Sequence, residues 1–185
     1  MMKSKDFIFS LLIIFSISFF VSCSDSEPPV YEKGNLIGNY VGNCIISLSS
    51  KSETLSDFPA VFKQKDAQNL YLDIGNDNSY KSIGIFISVI ASGFKDYGSY
   101  AKFNLGNIND IFKDDQIPDF IKNNVPLNGN PKSVTLDLKV DSKNPPKYTM
   151  ASENLTFTYT GNIKVTGVGE EYNGSITYTF NLNKR

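Results

Sequence analysis

Ser175-Ile176-Thr177-Tyr178-Thr179-Phe180-Asn181-Leu182-Asn183 places its apolar side chains on one parity and its polar ones on the other. Successive side chains of a strand point to opposite faces, so this is the pattern of a strand with one face buried. A helix would scatter Ile176, Tyr178, Phe180 and Leu182 around its circumference. The pattern recurs upstream. Val134, Leu136, Leu138 and Val140 alternate with Thr135, Asp137 and Lys139, and Leu155, Phe157 and Tyr159 with Thr156, Thr158 and Thr160. Leu70, Leu72 and Ile74 alternate with Tyr71 and Asp73, and Ile83, Ile85, Ile87 and Val89 follow. Between Leu36 and Leu48, Tyr40, Gly42, Cys44, Ile46 and Leu48 share a face, with Val41 and Ile45 opposite. Phe58–Gln64 and Tyr100–Leu105 are weaker strand candidates, and Pro59 argues that the former starts late or runs at an edge. With Tyr148–Ala151 undecided, the chain reads as mainly β, with about eight or nine strands.

Turn chemistry divides these runs. Gly75-Asn76-Asp77-Asn78 is rich in residues that tolerate left-handed backbone, so the strands on either side read as a hairpin. It lacks the acidic spacing and closing glutamate of a calcium loop. Gly161-Asn162 and Gly167–Glu171 predict a meander of Leu155–Thr160, Ile163–Val168 and Tyr172–Asn183. Between Gly106 and Pro131 the spacing changes: Ile108, Ile111 and Phe112, then Ile117, Phe120 and Ile121, fall at helical intervals. That predicts two short helices or one kinked one, with Pro118 in the first turn of the second.

The chemistry this chain excludes is as informative. It contains no histidine, which removes Ser-His-Asp and Cys-His sites, histidine-ligated zinc and the commonest general base. Asp114-Asp115 and Glu170-Glu171 fall in expected loops, where adjacent carboxylates serve solvation. Gly167-Val168-Gly169 lacks the third glycine and the following helix of a phosphate loop. No catalytic residue, metal ligand or cofactor site is expected. A net charge of −1 and the absence of a Lys/Arg-rich run argue against nucleic acid as a partner. Of the ten tyrosines, Tyr159 and Tyr178 lie on apolar strand faces and read as core, whereas Tyr71 lies opposite the apolar stripe of its strand.

The amino terminus has its own logic. Lys3 and Lys5 precede an apolar run from Phe7 to Val21, broken only by Ser10, Ser16 and Ser18. A run of that length fits a signal-peptide core of roughly 7–15 residues and falls short of the ~20 needed to span a bilayer. Phe20-Val21-Ser22-Cys23 resembles the lipobox of bacterial lipoproteins, with Phe20 where an aliphatic residue is usual. The resemblance implies cleavage after Ser22 and lipid attachment at Cys23, which anchors stably when two or more acyl chains are present. The expected organisation is a signal peptide 1–22, a flexible tether 23–35 and one β domain 36–185. Ser24-Asp25-Ser26-Glu27 is similar to the export signal of surface lipoproteins in Bacteroidota. It implies a cell-envelope protein held on the outer membrane and displayed at the surface, the other reading being an ordinary solvated tether on a periplasm-facing protein. Cys23 spent on lipid leaves Cys44 without a disulfide partner, in an apolar strand, as a small buried hydrophobe.

Gly38-Asn39-Tyr40-Val41-Gly42, opening a succession of strands that ends around Phe180, resembles the calycin-like (lipocalin-like) lipoprotein domains of Bacteroidota. Tyr40 stands where lipocalins keep a tryptophan. The resemblance implies an antiparallel barrel of about eight strands that is either filled by side chains or holds one small ligand. A two-sheet sandwich gives the same alternation, and the two differ in whether the first and last strands pair. The function expected is non-enzymatic binding of a small apolar or glycan ligand, or of a protein partner. The alternative is a structural or adhesive surface protein without a ligand pocket.

Overall fold

The computed structural model describes residues 33–127, 129–167 and 169–185. Cys23, the expected lipid-attachment residue, the expected signal peptide 1–22 and most of the expected tether 23–35 therefore lie outside the described residues. A 3-10 turn, Lys33–Leu36, leads into ten strands: β1 Gly38–Leu48, β2 Lys51–Gln64, β3 Leu70–Gly75, β4 Phe86–Asp96, β5 Tyr100–Leu105, β6 Ile108–Lys113, β7 Ser133–Val140, β8 Lys147–Thr149, β9 Asn154–Thr166 and β10 Glu171–Lys184. Two short helices interrupt them, α1 Asp77–Ile83 and α2 Asp119–Asn124, with a 3-10 turn at Asp114–Gln116.

The first and last strands pair antiparallel, Tyr40 opposite Lys184 through Leu48 opposite Ile176. The ring β1-β2-β3-β4-β5-β8-β9-β10 then closes through β9 and β10. The molecule is a closed eight-strand antiparallel barrel of calycin-like form, not a sandwich. Closure rests on β8, three residues that pair with β5 on one side and with the start of β9 on the other. Beyond that point β9 exchanges β8 for β7, which carries β6 as an outer strand.

Inward-facing residues fill the barrel. Tyr40, Tyr148, Tyr159, Tyr178, Phe58, Phe62, Phe112 and Phe180 are all essentially without solvent contact. Their rings interlock: Tyr40 meets Phe62 edge-on at 5.7 Å, Phe58 meets Phe180 at 5.4 Å, and Phe157 stacks on Phe180 at 4.4 Å. Each such pair adds about 0.5–1.5 kcal/mol beyond the area it buries. α1 and α2 pack together beside the splayed part of the wall, with Tyr80 against Phe112 at 5.3 Å and Ile83, Phe120 and Ile121 buried.

The structure corrects four readings of the sequence. Gly75–Asn78 is not a hairpin turn: Asn76 caps α1, its side chain accepting from the Asn78 and Ser79 amides, and Gly84 ends the helix at φ 77°. β3 and β4 still pair, across this inserted helix. Ile108–Lys113 is a strand rather than the first of two helices, and the second expected helix is α2, with Pro118 as its N-cap. Gly161-Asn162 does not break the chain, because β9 runs unbroken from Asn154 to Thr166. A Cβ at Gly161 would collide with the Asp137 carbonyl oxygen, so glycine there permits close approach of β7 rather than a turn. Finally, β2 begins at Lys51 and pairs on both sides, so it is neither late nor an edge. Asp57 takes φ 55° where the β1–β2 register shifts, and Pro59 follows that bulge, a position proline tolerates in a sheet.

Candidate functional site

A filled interior moves attention to the outer wall. A groove of about 750 Å³ lies there, over the outer faces of β8, β9 and β10. The chain builds it where β7 leaves β9. The Asp141 amide still donates to the Thr158 carbonyl, and the chain then loops outward through Lys143, Asn144 and Pro145 before returning as β8. Asp141 pins this loop by accepting from the Lys143 amide (3.0 Å) and from the Asn144 side chain (2.7 Å). Those bonds, the Asn144 one foremost, hold the Asp141 carboxyl below its usual range.

The floor is made of outward-facing side chains, Thr156 and Thr158 on β9 and Thr179 and Asn181 on β10. Asn154 braces it, its side-chain NH₂ donating to Asn181 Oδ1 at 2.7 Å. The far end is aromatic and basic. Tyr100 stacks on Tyr97 at 5.0 Å with 12° between the rings, across the tight β4–β5 turn. The Lys147 ammonium lies 4.7 Å from the Tyr100 ring centre, and that of Lys102 lies 5.7 Å from it.

Cross-strand register gives this end its electrostatics. Lys95 on β4 is directly opposite Lys102 on β5, and Lys102 is directly opposite Lys147 on β8. On β8 and beyond, Lys147 faces Thr156 and Thr156 faces Asn181. One outward row therefore reads Lys95, Lys102, Lys147, Thr156, Asn181 across five strands. Directly opposed like charges destabilise a sheet. The salt bridges among the described residues, Lys63–Asp73, Lys122–Asp119, Lys164–Glu171 and Arg185–Asp57, use none of these lysines. Two smaller depressions lie beside α2: one is lined by Asp114, Lys122 and Lys132, and in the other Lys81 and Lys122 are balanced by Asp115 and Asp119.

The residues singled out from sequence lie elsewhere. Cys44 is buried on the inner face of β1, and desolvation pushes its thiol far above its ordinary range. Tyr159 and Tyr178 are core, as expected, and each spends its hydroxyl on a backbone carbonyl, Gly106 and Ile83 respectively, both at 2.7 Å. Tyr71 is exposed, with the Lys65 ammonium 5.5 Å from its ring centre. Asp114 and Asp115 sit in a 3-10 turn and Glu171 opens β10, where Lys164 and then Asn173 hold its carboxyl low. No group of three or more Cys, Asp or Glu side chains suited to a metal ion occurs among the described residues. No described helix is long and apolar enough to cross a membrane. The lysine row was invisible in the sequence because its members come from three strands whose register only the fold defines.

Comparison with protein-family models, with curated proteins and with solved structures found no match in any of the three.

Proposed function

We propose that this chain is a lipid-anchored cell-envelope protein that binds a saccharide in the groove on its outer wall, without catalysing a reaction. One observation carries the reading. The interior is occupied by side chains, while the groove joins the half-buried Tyr100, stacked on the exposed Tyr97, to a floor of hydroxyl and amide groups. Saccharides are held by that combination, an aromatic face against sugar C–H groups and convergent polar atoms that fix orientation.

The lack of histidine and the solvated, hydrogen-bonded state of Asp66, Asp73, Asp141 and Glu171, each with its carboxyl lowered, support a binding rather than a catalytic role. A general acid needs the opposite shift. The test is calorimetric titration of the full chain with a panel of oligosaccharides, repeated with Tyr100→Ala. Binding that weakens at least tenfold in the variant is expected. A chain that binds no member of the panel, or binds equally well without Tyr100, would refute the saccharide site.

The anchor is tested separately. Cys23→Ser should abolish incorporation of a fatty-acid probe and release the protein from membranes, whereas continued labelling would place the lipid elsewhere. A second reading, as a structural or adhesive surface protein, is favoured by Tyr71, Ile90 and Phe86. They form an exposed apolar patch on β3 and β4, with Tyr71 directly opposite Ile90.

A further inference from the structure

We infer that the groove selects an anionic saccharide, one whose sugar units carry carboxylate or sulfate groups, and that Lys102 and Lys147 bind those groups. The inference rests on the saccharide reading above and names the class of sugar.

The lysine row is the ground for it. Like charges directly opposite one another destabilise a sheet, and here two such pairs follow one another. None of the salt bridges described above uses these lysines. The chain as a whole is slightly acidic, net charge −1, so the row is a local concentration of positive charge. Tyr100 lies under two of the ammonium groups. Its ring face partly offsets their repulsion and leaves their N–H groups to a ligand. Charge-assisted hydrogen bonds to carboxylate or sulfate are about twice as strong as neutral ones. Lys143, on the loop that walls the groove, adds a third cation to the lining.

The shape separates a saccharide from the other anionic surface open to an envelope protein, a bilayer of acidic lipid. A bilayer is flat, whereas these lysines line a groove walled by the Asp141-pinned loop. The row also continues into Thr156 and Asn181, neutral groups that match sugar hydroxyls and have no role against a charged headgroup plane. A chain of sugar units lying along the row would meet cations first and hydroxyl partners next.

The experiment is titration of the full chain, held in a non-glycosidic detergent, with oligogalacturonate and with a neutral maltooligosaccharide of the same length. Phosphatidylglycerol vesicles form a third arm. Oligogalacturonate should bind at least tenfold more tightly than the neutral sugar. Its affinity should fall several-fold between 50 and 500 mM salt, on the order of the screening that range imposes. Lys102→Gln with Lys147→Gln should lower the affinity at least tenfold while leaving the urea midpoint unchanged or raised, because a repulsion is removed. Lys143→Gln, on an exposed loop, should weaken binding with no effect on folding, and it serves as the test if the double variant is unstable. Equal binding of both sugars, insensitive to salt and to the lysines, would overturn the inference and leave the saccharide site standing. No binding of either sugar would overturn both, as would lysine-dependent binding to the vesicles alone.

Discussion

Tyr178 joins two parts of the molecule through one hydroxyl. Its ring is fully buried among the inward residues of the barrel, and its hydroxyl donates to the Ile83 carbonyl at the end of α1. Helix ends leave carbonyls without intrahelical partners, and this one has no water to turn to. Tyr159 does the same for Gly106, where β5 passes into β6, and Tyr40 for Leu36, at the end of the opening 3-10 turn. Buried tyrosines thus satisfy backbone where the chain leaves regular structure. Tyr178→Phe should cost about 1–2 kcal/mol in urea unfolding, since it strands a buried acceptor. An unchanged midpoint would show that the Ile83 carbonyl finds another donor. Burial also raises the Tyr178 phenol and the Cys44 thiol above their ordinary values of 10.0 and 9.0. A group raised in the folded state contributes stability that is present below its unfolded value and is lost as pH rises above it. Stability should therefore stay level through neutral pH and fall above about pH 9, where the unfolded chain begins to release these protons and the folded chain does not. Cys44→Ala should shift the onset of that fall upward, toward the tyrosine range. Alternation in the sequence identified Tyr159, Tyr178 and Cys44 as core, because facing inward is a property of strand parity alone. Which carbonyl each hydroxyl reaches depends on irregular backbone that parity does not describe.

At the scale of elements, the same rule explains what was misread. Ile108, Ile111 and Phe112 fall at helical intervals, yet only Ile108 and Phe112 point inward, and Ile111 is 58% exposed on the outer face of β6. An exposed apolar residue on an outer strand imitates a helix. The inward Asp110 between them accepts from the Ile111 amide at 2.8 Å, and an inward charge is one of the devices that discourage a bare strand edge from pairing with another chain. Asn76 and Gly84 bracket α1 with an N-cap and a left-handed C-terminal residue, a signal present in the sequence but overridden by the turn-like run Gly75–Asn78. Asn76→Ala should destabilise by about 1 kcal/mol, read as a lowered urea midpoint, and a wild-type midpoint would mean that α1 is held by packing alone. Gly161 is the more severe case. A methyl group there meets the Asp137 carbonyl oxygen, which is backbone and cannot swing aside. Gly161→Ala should cost about 1–3 kcal/mol or more by forcing β7 away from β9. A variant as stable as the wild type would show that β7 is loosely held.

For the molecule as a whole, closure distributes stability unevenly. β10 pairs with β9 along nearly its full length and with β1 from Ile176 to Lys184, and their inward residues Cys44, Ile46, Phe157, Ile176, Phe180 and Leu182 are buried. β6, by contrast, pairs among the described residues only with β7. The groove lies on the firm side, its floor on β9 and β10 and its aromatic end on β5 and β8. A site on paired strands holds its side chains more closely than one on loops, so ligand binding there needs little reorganisation. This arrangement was legible in the sequence only as a class of fold. The parity of most strands was readable, but β8 was undecided and β9 was divided in two, and the opposition of Lys95, Lys102 and Lys147 depends on register across β4, β5 and β8. Amide hydrogen exchange under native conditions tests the distribution directly, because protection reports the free energy of the opening that exposes each amide. Amides of β1, β9 and β10 should exchange only through global unfolding and share its denaturant dependence. Those of β6, α1 and α2 should exchange through smaller openings, with faster rates that respond weakly to denaturant. Saturation with oligogalacturonate should slow exchange in the loop from Asp141 to Pro146, which walls the groove, and leave β6 unaffected. Equal protection of β6 and β10 would mean that the outer strands fold and open with the barrel as one unit.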